Sequence, residues 1–276
     1  KLGILSCLVP MIILPYYCVI GGWVLKYCVT FLTGAGTAAA ADGYFTSFIT
    51  GDVRPIVCMV LFLGLTCLII YQGVNKGIEA FSRILMPLLI VLVLGISIFS
   101  LTLSTNDGGT VRTGLQGLRI FVVPDLSGMT FADIIVVLMD AMGQLFYSLS
   151  IAMGIMIAYG SYVRDEDNLM RSINQIEIFD TAVAVLAGVM IIPAVYVFMG
   201  REGMTASGPG LMFILIPKVF EAMGGIGTLV GILFFVMVFF AALTSSMSIL
   251  EAIVSSFMDH FGWSRRKSVL VEFLIA

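Results

Sequence analysis

Three groups of polar residues lie inside long apolar segments of this chain. The first comprises Gln144, Ser148 and Ser150 within the stretch GQLFYSLSIAMG. The second is Asp180 within IFDTAVAVLAGV, and the third is the hydroxyl-rich run TSSMS at residues 244–248. Hydroxyl, carboxylate and freed carbonyl oxygens are the ligands that suit a small hard cation. These residues could therefore bind an ion or a polar solute at membrane depth.

Asp180 is the strongest of these signals. A carboxylate in the middle of a membrane helix costs at least about 2.5 kcal/mol, so such residues are paired or functional. A protonated Asp180 bonded to a neighbouring helix is the structural alternative, whereas a cation ligand or a proton carrier is the favoured interpretation. The hydroxyls are weaker signals because single Ser and Thr residues in membrane helices often bond only to their own backbone.

The composition places these residues in a membrane protein. Apolar residues make up 60% of the 276 residues and charged residues only 11%, against about a quarter in soluble domains. Five cysteines lie among apolar residues without a CxxC pattern, which argues against a disulfide framework or a metal site. The single histidine, His260, has no nucleophile or metal ligand beside it, and no basic tract suits nucleic acid. We therefore expect neither an enzyme nor a nucleic-acid-binding protein.

Apolar segments of about 20 residues predict six complete membrane spans and one truncated span. The expected fold class is all-α, a polytopic helical membrane protein in which residues 1–276 form one incomplete transmembrane domain. The predicted spans cover residues 2–32, 56–72, 84–103, 131–162, 176–199, 226–258 and 269–276. The span 131–162 should be a broken helix near Ser148–Gly154, because its polar centre suits backbone that faces protein, water or a bound solute.

Basic residues predict the orientation of the spans. Lys and Arg are more frequent in the loops 73–83, 163–174 and 259–267 than in the alternate loops, so this side is cytoplasmic by the positive-inside rule. Residues 104–130 are then expected to be a long external loop. Glu251 lies near the cytoplasmic end of its span and is expected to be solvated.

Several motifs, in order, resemble the neurotransmitter:sodium symporters, in particular the bacterial amino-acid transporters of the LeuT type. The motifs are PYYCVIGGW, KGIEAFSRILMP, GQLFYSLSIAMG, YGSYVRDED, FDTAVAVLAG, GPGLMFILIPKVF and FFAALTSS. The resemblance covers nearly the whole chain and implies a partial LeuT-type inverted-repeat fold, running from the third helix to the start of the ninth. The family's first helix, which is also broken, would then lie outside this chain.

The resemblance implies a pocket for a small hydrophobic or aromatic amino acid. Tyr17 matches the phenol that binds the substrate carboxylate, and Tyr147 matches the aromatic lid, where the family usually has Phe. The residues that match the substrate site are Ile13, Tyr17, Ile20, Tyr147, Ser150, Met153, Ser245 and Ile249.

The resemblance also implies two sodium sites, both incomplete without the first helix. Ser148 and Asp180 match ligands of the first sodium. The carbonyl of Ala241 and the hydroxyls of Thr244 and Ser245 match the second site. Many members have Asn where this chain has Asp180, so we expect this carboxylate to substitute for the charge of chloride and expect no chloride requirement.

The implied function is sodium-coupled symport by alternating access across the bacterial cytoplasmic membrane. Tyr162 and Asp259 match the inner gate, whose arginine partner would lie in the missing N-terminal part. The expected partners are an amino-acid substrate, the lipid bilayer and the missing N-terminal helices, and a homodimer is compatible with the sequence. Two alternatives stay open, an inactive fragment of such a transporter and a sodium-independent amino-acid exchanger of the same architecture.

Overall fold

The computed structural model describes residues 2–107, 110–124, 126–164, 166, 168–204 and 207–276. Six of its helices are long and apolar enough to cross a membrane. These are α1 (Leu2–Leu32), α4 (Arg54–Tyr71), α5 (Ala80–Thr102), α7 (Phe131–Ser148), α9 (Leu169–Gly203) and α12 (Gly225–Phe261). The shorter helices are α2 (Gly36–Ala40), α3 (Tyr44–Ile49), α6 (Gly114–Val122), α8 (Ile155–Gly160), α10 (Gly208–Gly210), α11 (Ile216–Ala222) and α13 (Arg265–Ile275). Two π-helical turns, Val74–Glu79 and Leu211–Leu215, lead into α5 and α11.

The helix predicted to be broken is broken. Helix α7 ends at Ser148 and α8 begins at Ile155, and the residues between them are not helical. The break therefore lies within the Ser148–Gly154 stretch that the polar residues indicated.

The expectation of a plain loop over residues 104–130 was wrong. Strands β1 (Ser104–Asp107) and β2 (Thr110–Thr113) form an antiparallel hairpin, with Ser104 opposite Thr113. Helix α6 follows at once, and Thr113 and Gln116 form a capping box at its start. Such reciprocal side-chain bonds satisfy free N–H groups of the first turn, so a short helix can form here without a long apolar run.

The core is built around α1 and α12, which pack against each other, with α4 against α1 and α5 against α9. One hydrophobic cluster lies towards the ends of the helices that the basic residues predict to be external, and it is rich in aromatic rings. In it, the Tyr27 hydroxyl donates a hydrogen bond of 2.7 Å to the carbonyl of Phe213. This bond connects the segment Leu211–Leu215 to the last two turns of α1.

Helix α7 differs from the other long helices. None of its residues is buried against the described part of the chain. Its apolar surface is therefore open to lipid or to further protein.

A buried hydroxyl pair links α4 to α12. The side chains of Thr66 and Ser246 are both fully buried, and their oxygens are 2.8 Å apart. Each hydroxyl also lies within hydrogen-bond distance of a carbonyl of its own helix. The pair therefore fixes the register of two helices in an apolar interior.

We expect a double-mutant cycle with Thr66→Val and Ser246→Ala to give a coupling energy of about 0.6 kcal/mol and at most about 1.7 kcal/mol, as for other hydrogen bonds between membrane helices. Equilibrium unfolding of the full-length protein in mixed micelles would measure it. A coupling energy of zero would show that the two hydroxyls do not interact.

Candidate functional site

The break between α7 and α8 contains strained backbone. Ser150 and Ala152 have φ angles of 55° and 65°, in the left-handed region that residues other than glycine rarely occupy. Each such residue costs about 1–3 kcal/mol, and strain of this kind concentrates at functional sites. Gly154 has a φ of 74°, and a Cβ atom there would lie 2.5 Å from the carbonyl oxygen of Ser6 in α1. Glycine is therefore required where the break passes α1.

The break also frees polar backbone groups. Helix α7 is closed by bonds from the N–H groups of Leu149, Ser150 and Ile151 to carbonyls at residues 145–147. The next two N–H groups, of residues 152 and 153, have no hydrogen-bond partner within the described ranges. At membrane depth such groups need water, protein or a bound solute.

Ser148 and Asp180 are in direct contact at this break. The Ser148 hydroxyl donates a hydrogen bond of 2.5 Å to Oδ1 of Asp180, which is half-buried on α9. This length is typical of a hydroxyl bonded to a carboxylate. Because the Ser148 hydroxyl is the donor, both of its oxygen lone pairs stay available to a cation, and so do the carboxylate lone pairs that this bond does not use. The structure thus brings together the two residues predicted for the first sodium site.

Ala241, Thr244 and Ser245 lie within one turn of α12. The Thr244 hydroxyl lies 3.0 Å from the carbonyl of Ala241 and 3.1 Å from that of Phe240, and donates to them. Its lone pairs are therefore free to face a cation. The donors at both sites are hydroxyl, carbonyl and carboxylate oxygens, the donor types that a small hard cation such as sodium accepts.

A cavity of about 400 Å³, here called the Tyr17 cavity, lies between α1, α12 and the external segment. Pockets for small molecules usually measure about 300–1,000 Å³. The lining residues are Tyr16, Tyr17, Ile20, Gly21, Val24, Gly208, Pro209, Met212, Phe213, Val238, Ala241, Ala242 and Ser245. Four residues predicted from the sequence, Tyr17, Ile20, Ala241 and Ser245, thus share one cavity.

The other residues predicted for the substrate site lie around this cavity but do not line it. Ile13, Met153 and Ile249 belong to the hydrophobic cluster on the cytoplasmic side of the cavity, to which Tyr17 also contributes. Tyr147, on α7, is half exposed. Ser150 occupies the strained break. Tyr17 thus belongs to both sets of predicted residues, those that line the cavity and those in this hydrophobic cluster.

The end of the bundle that is predicted to be cytoplasmic contains an ion pair that sequence reasoning missed. Glu251 was expected to be solvated, but it is fully buried. Both of its carboxylate oxygens accept hydrogen bonds from Arg265, at 2.6 and 2.8 Å, and the Tyr162 hydroxyl donates to the same carboxylate at 2.7 Å. The hydrogen bond to Glu251 holds the pKa of Arg265 above its usual range. An isolated carboxylate in an apolar run identified Asp180, and the same signal could have identified Glu251.

Asp259, the acidic residue predicted for the inner gate, is exposed near the end of α12. Tyr162, the predicted aromatic cover, lies instead at the Glu251–Arg265 pair. The gate roles of both residues stay predictions.

A sequence profile of the sodium:neurotransmitter symporter family matches residues 49–276. The chain belongs to this family. An uncharacterised sodium-dependent transporter of Bacillus subtilis, YhdH, is 34% identical over 92% of the chain and 53% of its own length. One from Haemophilus influenzae is 31% identical over 98% of the chain and 57% of its own length. The chain thus spans about half the length of the curated relatives it matches.

A solved structure supports the same assignment. The transporter MhsT, crystallised with L-phenylalanine, superposes with a TM-score of 0.84 and 36% sequence identity over 99% of this chain and 59% of its own. The predicted all-α LeuT-type fold is therefore confirmed. The family consists of transporters rather than enzymes, and the apolar helices make this symporter-family chain a multi-pass protein of the cell membrane.

We expect Arg265→Gln to destabilise the full-length protein by about 3–5 kcal/mol, because it leaves the Glu251 carboxylate buried without a countercharge. Thermal unfolding in detergent would measure the loss. Arg266→Gln is the matched control, since Arg266 is exposed and lies over the Tyr71 ring. Adding Glu251→Gln to Arg265→Gln should recover part of the loss. Equal stability of the two arginine variants would contradict the buried ion pair.

Proposed function

We propose that the protein performs sodium-coupled symport of a small hydrophobic or aromatic amino acid across the cytoplasmic membrane. The contact between Ser148 and Asp180 at the break of a membrane helix is the observation that carries this proposal. It combines a carboxylate, a hydroxyl and freed backbone groups at membrane depth, where such groups need water, protein or a bound ion or solute as partners. Membership of the family and the likeness to MhsT support the same function.

In this proposal each sodium ion is a transported substrate. Ser148 and Asp180 contribute to the first site, and the Ala241 carbonyl with the Thr244 and Ser245 hydroxyls contributes to the second. The first sodium and the substrate carboxylate would attract each other, so the binding of either would strengthen the binding of the other.

The substrate would occupy the Tyr17 cavity. The Tyr17 phenol is the group proposed to bind the substrate carboxylate, while Ile20, Met212, Phe213 and Val238 offer an apolar wall. Such a wall favours an apolar or aromatic side chain, because a charged side chain would lose its hydration there without a partner.

Alternating access would use the break and the cytoplasmic end. Tyr162 and Asp259 are proposed for the inner gate. Since α7 has no residue buried in the described chain, we propose that further helices of the full-length protein pack against it and complete both sodium sites.

Chloride is not required in this proposal. In this proposal the Asp180 carboxylate takes the place of chloride next to Ser148, and a second anion there would be repelled by it.

We expect Asp180→Asn in the full-length protein, reconstituted into proteoliposomes, to weaken amino-acid binding in chloride-free sodium buffer by about tenfold or more, the consequence of losing a charged contact. Adding chloride should restore much of the binding. The measurement is binding of labelled amino acids, including L-phenylalanine, in sodium against potassium.

The charge-matched control is Asp52→Asn, in the exposed loop before α4. This substitution should leave amino-acid binding and its dependence on sodium unchanged. Binding by the native protein that is equal in sodium and potassium would refute the symport proposal. A sodium-dependent native protein that already needs chloride would refute only the role of Asp180.

The second sodium site gives a further test. Replacing Thr244 and Ser245 by Ala should raise the sodium concentration needed for half-maximal uptake by about tenfold or more, because two oxygen ligands are removed. Ser255→Ala is the control. Ser255 lies about three turns further along α12, and its hydroxyl donates to the carbonyl of Ala252 in the same helix. Unchanged uptake in the double variant would favour the sodium-independent exchanger.

A further inference from the structure

A second cavity, of about 630 Å³, lies where α6 meets the external end of α9. Its lining includes Gln116, Arg119, Ile120, Val123, Tyr196 and Arg201, and none of these residues lines the Tyr17 cavity. We call it the Arg119 cavity. It lies on the side of the membrane that the basic residues predict to be external.

The wall of this cavity is firmly positioned. Gly117 lets α6 approach α9 so closely that a Cβ atom would lie 2.6 Å from the Cα atom of Pro193. The capping box fixes the start of α6, with the Gln116 backbone N–H bonded to the Thr113 hydroxyl at 3.3 Å. A non-helical residue, Gly200, then bends α9 immediately before Arg201. Two exposed arginines from separate helices, Arg119 and Arg201, thus line one cavity.

Neither of these two arginine side chains pairs with a carboxylate in the part of the chain that the structure describes. Within the described ranges, the side chains of Arg119 and Arg201 make no hydrogen bond or ion pair, and no described lining residue is acidic. By contrast, Arg83, Lys218 and Arg265 each pair with a carboxylate. Two like charges on one cavity repel each other unless an anion lies between them.

We propose that the Arg119 cavity binds a phosphate group from the external side of the membrane. Guanidinium groups match the oxygens of a phosphate with paired hydrogen bonds. Gln116 uses its side-chain oxygen to accept from the Thr113 N–H, at 3.1 Å, so its amide N–H₂ stays available as a donor. The Tyr196 hydroxyl is a further donor on the same wall.

The cavity does not suit an amino-acid substrate. The ammonium group of an amino acid would find no carboxylate among the described lining residues. A phosphate monoester or the headgroup of an anionic lipid such as phosphatidylglycerol carries no such cation. The cavity is larger than a bare phosphate needs, and Ile120 and Val123 offer apolar surface for a glycerol or acyl portion.

Two probes with one headgroup test this site in the purified full-length protein. Glycerol 1-phosphate, measured by titration calorimetry, represents a soluble source. Short-chain phosphatidylglycerol, measured by native mass spectrometry with phosphatidylcholine as the zwitterionic reference, represents a lipid source. We expect Arg119→Gln and Arg201→Gln each to weaken binding by about tenfold, because each removes a charge-assisted contact.

Arg54→Gln is the matched control, because Arg54 is exposed on the same predicted side and does not line the cavity. Arginine-dependent binding of glycerol 1-phosphate supports a headgroup site that needs no acyl chain. Arginine-dependent binding of the lipid alone supports a lipid site. The proposal is overturned if neither probe binds, or if Arg54→Gln weakens binding as much as the two cavity variants do.

Discussion

Backbone N–H and C=O groups at membrane depth must have hydrogen-bond partners, and a continuous helix supplies them within the segment. Between α7 and α8 the backbone leaves the helical conformation. Leaving the helix there frees N–H groups and forces Ser150 and Ala152 into left-handed conformations. The surrounding elements hold the break in place. The carbonyl of Ser6 in α1 leaves room only for a glycine, and Asp180 of α9 accepts a short hydrogen bond from Ser148. Four elements are therefore positioned relative to this one short segment.

Two carboxylates of the long helices, Glu251 and Asp180, have different environments. Glu251 is fully buried and has both oxygens paired with one guanidinium, so its charge is neutralised within the chain. Asp180 is half-buried, and the hydrogen bond recorded for it among the described residues comes from a neutral hydroxyl. The first arrangement suits a structural ion pair. The second leaves a negative charge for which a mobile cation is the natural partner.

The sequence allowed the long helices, the break and Asp180 to be predicted, because each has a local signal in apolar length or in an isolated polar residue. Helix α6 and its hairpin had no such signal, since they are short and are held by a capping box and by packing on α9. Glu251 was misjudged from its position near a helix end, because its partner Arg265 lies beyond a turn of the chain. The grouping of Tyr17 with Ser245 depends on how α1 packs on α12. The two cavities likewise arise only from the packing of distant segments, which no local pattern records.

The two sides of the break are attached to the protein very differently. The hydroxyls of Tyr159 in α8 and Ser248 in α12 lie 2.9 Å apart, within hydrogen-bond distance. Two further residues of α8, Ile155 and Ala158, are buried. Helix α7 has no buried residue in the described chain. In mechanical terms, residues 149–154 connect an arm anchored within the described chain to an arm that touches this part of the chain through the Ser148–Asp180 hydrogen bond. A small rotation about this joint moves the far end of α7, about 27 Å away at 1.5 Å per residue, much further than it moves Ser148.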